Sequence, residues 1–175
     1  MQVPLLDLRL QYASIREDIL SAVTRVCDSQ QFIMGPEVER LESELAAAIG
    51  VPHAIAVSSG TDALIVALMA LGIGDDDEVI TPTFSFFATA GSVARVGARP
   101  VFVDVDPETL MLDVDRVRAA ITPRTRAIVP VHLYGLCADV DALKAVAGPG
   151  VHVIDPELTR EQQQYVVARI AERVT

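Results

Sequence analysis

From residue 54 onward short apolar runs alternate with stretches of helical periodicity, joined by turns and without any internal sequence repeat. The apolar runs cover residues 54–57, 78–81, 100–105, 127–132 and 151–154, and helical patterns at 62–71, 86–96, 113–121 and 140–147 lie between them. Strands separated by one helix apiece cannot join through tight hairpins. They form βαβ units, so the pattern predicts an α/β fold with a mostly parallel sheet flanked by helices. Two further helices come first. One spans 12–28, with Ile15, Ile19, Leu20, Val23 and Val26 on one stripe; the other spans 37–49, opened by Gly35-Pro36 and closed by Gly50.

In such sheets a ligand sits beyond the carboxyl ends of the strands, which makes the residues just after each strand the ones to question. These are Ser59, Gly60 and Thr61; then Pro82 through Phe86; then Asp104 and Asp106; then His132 through Gly135; and finally Asp155. The first group stands out. Ser58-Ser59-Gly60-Thr61-Asp62 lies where an apolar run meets a helix, and a Ser/Gly/Thr turn there offers free backbone N–H groups, hydroxyls and the positive end of the helix dipole to a phosphate. The same residues are also ordinary helix caps, and that alternative stays open. A phosphate cradle, an aromatic able to lie on a flat ring, and a carboxylate able to hold a pyridinium proton together suit pyridoxal phosphate.

Of the 14 basic residues 13 are Arg, and Lys144 is the single lysine. A Schiff base needs a lysine amine that can shed its proton, and Arg cannot replace it. The pattern around Lys144 places it on a solvent face, away from the strand ends, so no residue of this chain is expected to serve as the catalytic group.

Net charge of −10 with scattered Arg argues against nucleic acid or an anionic membrane surface as partner. No apolar run approaches membrane-spanning length and the N-terminus lacks a signal pattern, so a cytoplasmic protein is expected. Cys27 and Cys137 lie far apart without metal-ligand spacing and read as buried free thiols. His132 follows a buried strand and reads as a hydrogen-bonded core or rim residue, with His53 and His152 plainer still. The acidic run 75–78 precedes a strand at the end opposite the ligand and reads as a solvated turn rather than a metal site.

Seven ordered segments, VPLLDLRLQY, FIMGPEVERLE, SSGTDALIVAL, DEVITPTFSFFATA, GARPVFVDVDPETLMLD, ITPRTRAIVPVHLYG and ADVDAL, resemble the N-terminal half of the DegT/StrS-type sugar aminotransferases. That family consists of pyridoxal-phosphate enzymes of the aspartate-aminotransferase fold that aminate keto-sugars attached to nucleotides. The resemblance implies an incomplete type I aminotransferase large domain over 1–155. It implies a cofactor phosphate cradle at Gly60, Thr61 and Asp62, with Phe86 stacked on the pyridine ring and Asp155 standing where the pyridine-binding Asp belongs. It also implies a keto-sugar nucleotide and an amino donor, glutamate, as substrates, and a homo-oligomer. Asp62 as a plain cap and Phe86 as a core residue remain the alternatives.

The chain departs from the family after the fifth strand. The acidic pair, the Gln-containing loop, the serine and the catalytic lysine are absent, and residues 156–175 instead resemble the family's last helix, as though an internal deletion joined the two ends. In the family's sheet the missing strands lie between the first and the fifth, so residues 54–57 are expected to lose their partners and the fold to be compromised. The competing reading is a non-catalytic remnant that binds ligand weakly or does nothing, or a module that associates with a full-length relative. A plain doubly wound nucleotide-binding domain is disfavoured because no Gly-x-Gly-x-x-Gly follows the first apolar run.

Overall fold

The structure, a computed structural model, describes residues 7–155; the helix expected over 156–175 lies outside the described residues. The chain divides into two compact units, with the break after Ala56.

The first unit carries helices α1 (Arg9–Ser29) and α2 (Pro36–Ile49). Pro36 sits at the first helical position, where its missing N–H costs nothing and its fixed φ already suits a helix. Gly35 before it is sterically required, because a Cβ there would lie 2.5 Å from the carbonyl oxygen of Gln31. At the other end Gly50 takes φ 76°, the left-handed conformation that closes α2. Arg25 of α1 pairs with Glu37 of α2 at 3.2 Å. Neither helix has a fully buried residue, and Leu10, Ile19, Leu20, Val23 and Leu41 are all exposed. Cys27, expected in a core, is exposed for the same reason.

Residues 54–57 correct the expectation of a strand. The segment is irregular, Ile55 is exposed, and the Ala56 N–H donates to the Glu42 carboxylate at 2.7 Å instead of to a ladder. An apolar run becomes a strand only where a neighbour accepts its backbone bonds, and among the described residues no strand pairs with this one.

The second unit begins with α3 (Gly60–Ala70) and continues through β1 (Glu78–Pro82), α4 (Ala88–Arg95), β2 (Arg99–Val103), α5 (Val114–Ala120), β3 (Thr125–Ile128), α6 (Val140–Ala147) and β4 (His152–Val153). The four strands form one parallel sheet in the order β2-β1-β3-β4. Strand periodicity splits the core in two. Val79, Ala127 and Val129 pack with Leu68 of α3 and Val93 of α4 on one face; Ile80, Val103 and Ile128 pack with Val117 of α5 and Leu143 of α6 on the other. All five residues of β1, an interior strand, are buried. β3 stops four residues before the sequence pattern does, because Pro130 has no N–H to donate to the ladder.

Two devices hold the frame. Asp113 caps α5 by accepting from the N–H groups of Asp115 and Arg116, and Asp139 caps α6 by accepting from Ala142. At the start of β1 the buried Glu78 accepts from the Thr122 hydroxyl at 2.6 Å and from Arg124 at 2.7 Å. The Thr122 bond, aided by Arg124, holds its carboxyl below the usual glutamate range against the opposing effect of burial. The acidic run 75–78 is therefore partly structural rather than wholly solvated.

Candidate cofactor-binding site

At the start of α3 the backbone of Ser59 is extended, and its Oγ accepts the Asp62 N–H at 3.1 Å. The Asp62 carboxylate reaches back to accept the hydroxyls of Ser58 and Ser59, the latter at 2.8 Å. This is a reciprocal capping arrangement. Those two bonds, the Ser58 one foremost, hold the Asp62 carboxyl below its ordinary range, with the positive charge of Arg95 adding to them. Ala63 bonds back to the Ser59 carbonyl, but among the described residues the N–H groups of Gly60 and Thr61 meet no acceptor. Two free donors at the positive end of a helix are an arrangement that suits an anion. Ser92 of α4 donates to the Thr61 carbonyl at 3.4 Å, tying the second helix to this turn.

A cavity of about 440 Å³ opens beside the turn, lined among others by Gly60, Leu64, Phe86, Thr89, Leu133 and Asp155. Phe86 lies just before α4 and is 79% exposed, so it is not a core residue; its ring has a free face. Asp155 lies two residues beyond the end of β4, and its Oδ1 is 2.8 Å from Nε2 of His132. The Ala138 N–H donates to Nδ1 of that histidine at 2.9 Å. Nδ1 is therefore the acceptor, which leaves the proton on Nε2, pointed at Asp155. His132 is 3% exposed, in keeping with a hydrogen-bonded core residue, but its role in holding the carboxylate escaped the sequence. Its place at the end of the apolar run 127–132, on the ligand side, was the available signal.

Gly60, Phe86 and Asp155, separated by up to 95 positions, thus line one cavity, with Thr61 next to it in the turn. Of the other residues beyond the strand ends, Asp104 accepts from Thr83 at 3.2 Å and from Arg116 at 2.9 Å, and Asp106 closes a turn by accepting from the Thr109 and Glu108 N–H groups. Tyr134 takes φ 55° and is exposed. Among the described residues no three His, Cys, Asp or Glu side chains are grouped to hold a metal ion.

The donor set fits pyridoxal phosphate in three respects: free N–H groups for its phosphate, an open aromatic face for its ring, and a carboxylate for its pyridine nitrogen. In one respect it does not. Lys144 is exposed on α6, which packs on the face of the sheet opposite α3.

The sequence profile of the DegT/DnrJ/EryC1/StrS aminotransferase family matches residues 13–156. The chain belongs to that family. Its DegT/DnrJ/EryC1/StrS relatives include the UDP-2-acetamido-2-deoxy-3-oxo-D-glucuronate aminotransferase of Pseudomonas aeruginosa, 50% identical over 154 residues, which are 87% of this chain and 43% of that protein. Among solved structures, DesV of S. venezuelae in complex with a ketimine intermediate superposes with a TM-score of 0.85 at 46% identity, over 89% of this chain and 42% of DesV. The PLP form of a putative sugar aminotransferase from Streptococcus pneumoniae gives 0.68 at 35% identity, over 71% and 33% respectively. The chain thus spans less than half the length of these DegT/DnrJ/EryC1/StrS relatives, and its parallel sheet flanked by helices is part of their α/β fold. No helix among the described residues is long and apolar enough to cross a membrane.

Proposed function

We propose that this chain is the cofactor-cradle portion of a pyridoxal-phosphate-dependent aminotransferase that transfers an amino group, from glutamate, to a keto-sugar carried on a nucleotide. The observation that carries the reading is the convergence of Gly60, Phe86 and Asp155 on one cavity beside the free N–H of Thr61. The backbone of Gly60 and Thr61 would hold the phosphate and the Phe86 ring would cover one face of the pyridine. Asp155, fixed by neutral His132, would keep a proton on the pyridine nitrogen. Pyridoxal phosphate, when bound, supplies the electron sink that amino transfer requires. Asp155 sustains that property by keeping the nitrogen protonated, and a histidine with its proton fixed on Nε2 keeps the carboxylate oriented.

Without a lysine near the cradle, the chain by itself binds the cofactor only non-covalently and does not complete amino transfer. Incubation with pyridoxal phosphate, borohydride reduction and peptide mapping test this. The expected outcome is no stoichiometric label; full, site-specific labelling of Lys144 would overturn it.

A partner-binding role is favoured by a different observation. Phe86, Phe87 and Tyr134 of the second unit are each more than three-quarters exposed, large apolar side chains left in water. Association of two copies, or of this chain with a longer relative, would cover them.

A further inference from the structure

The Asp62 carboxylate sits in an awkward place for a phosphate cradle. It is a full negative charge on the third residue of the helix whose first two N–H groups are the free donors, and it already holds both serine hydroxyls of the turn. Ser59 Oγ is doubly committed, accepting from the Asp62 N–H and donating to the Asp62 carboxylate. A phosphate oxygen could accept from Ser58 or Ser59 only after those protons turned away from Asp62.

We propose that Asp62 is an internal competitor of the bound phosphate: it withholds the Ser58 and Ser59 hydroxyls and leaves the anion to the Gly60 and Thr61 N–H groups and the Thr61 hydroxyl. The proposal rests on the cofactor reading above and assigns Asp62 the opposite sign from a phosphate-binding residue. Asp62 lowers anion affinity, and through the two serines it fixes which groups of the turn are ligands. Arg95, on the neighbouring helix α4 and facing a cavity of about 450 Å³ with Thr61 and Phe87, offsets part of the Asp62 charge. It has no ion-pair partner among the described residues. The balance between Asp62 and Arg95 sets a phosphate affinity that is moderate rather than maximal, which suits a cofactor that a lysine, elsewhere, would otherwise help to retain.

Titration calorimetry with inorganic phosphate, and separately with pyridoxal phosphate, tests the sign. Asp62→Asn removes the charge and weakens the hold on the two hydroxyls, so both probes should bind roughly tenfold more tightly, the effect of one unit charge a few Å from a dianion in partly hydrated surroundings. Ser58→Ala should leave affinity within about twofold, because its proton is already spent on Asp62; loss of a real ligand would cost about fivefold. Circular dichroism and amide exchange in α3 establish that each variant is folded, and Ser58→Ala decides alone if Asp62→Asn is not. A folded Asp62→Asn chain with unchanged or weaker affinity overturns the proposal, as does a fivefold loss in Ser58→Ala. Gly60→Pro, which removes one of the two backbone donors at a first helical position that tolerates proline, separates the two layers when combined with Thr61→Ala. If the pair leaves phosphate binding untouched, or if no variant binds either probe, the cradle itself fails and this role falls with it. If binding depends on Gly60 and Thr61 but not on Asp62, only the competitor role is lost.

Discussion

Thr81 is the one buried side chain of the described residues whose polar atom has no hydrogen-bond partner. It lies in β1, an interior strand, at 0% exposure, and by strand periodicity faces the same side as Val79, towards Leu68 and Val93. A hydroxyl buried without a partner costs about 1–3 kcal/mol on mutational scales. Thr81→Val keeps the β-branched shape that suits a strand and replaces the hydroxyl by a methyl group, itself worth about 0.8 kcal/mol when buried. Only one of the two contributions has to operate for the sign to hold, so the variant should be about 1–3 kcal/mol more stable. Urea unfolding followed by far-ultraviolet circular dichroism should show a higher midpoint at unchanged slope. Native-state amide exchange supplies a local readout, through the Val129 N–H that donates to the Ile80 carbonyl at 2.8 Å, one residue from Thr81. Thr81→Ser, which keeps the hydroxyl and loses the methyl group, should instead be less stable than the native chain. A Thr81→Val chain destabilised by more than about 0.5 kcal/mol would refute the reasoning, since it would mean that the hydroxyl has a buried partner, such as a water, worth more than the burial of a methyl group.

Glu78 makes the second unit sensitive to acid. Its folded-state carboxyl titrates below the ordinary value of 4.5, so its contribution is present above that pH and is lost as pH falls through and below it; Glu78→Gln should flatten the acid limb of a stability profile, and an unchanged limb would count against the Thr122–Arg124 pairing. Association is expected because α1 and α2 bury no residue and leave Leu10, Ile19, Leu20, Val23 and Leu41 exposed, so the apparent mass by light scattering should rise with concentration; a concentration-independent monomer with one sharp unfolding transition would show that these faces need no cover.

The parallel sheet was legible because its cause is local. Strand and helix periods alternate along the chain, and chirality and connection length leave few ways to stack them. The ends of elements were less legible. β3 stops where Pro130 removes a donor, and α4 starts two residues after its pattern, with Phe86 and Phe87 exposed before it. Residues 54–57 have the composition of a strand, yet composition cannot supply the neighbour a ladder requires. The candidate site divides along the same line. Gly60, Thr61 and Asp62 are contiguous, and a turn between an apolar run and a helix announces them.

What the sequence by itself determined, then, is what depends on neighbours within a few positions: the helix periods, the Ser59 cap and the free N–H groups behind it, and the presence of a single lysine. Tertiary structure decided what depends on groups far apart in the chain. It brought Asp155 to His132 across 23 positions and fixed that histidine's proton with the Ala138 N–H. It placed Lys144 on the opposite face of the sheet from the cradle. Each of these outcomes hangs on a hydrogen bond or a packing face about 3–4 Å wide, and distances of that size between remote residues exist only once the sheet has closed.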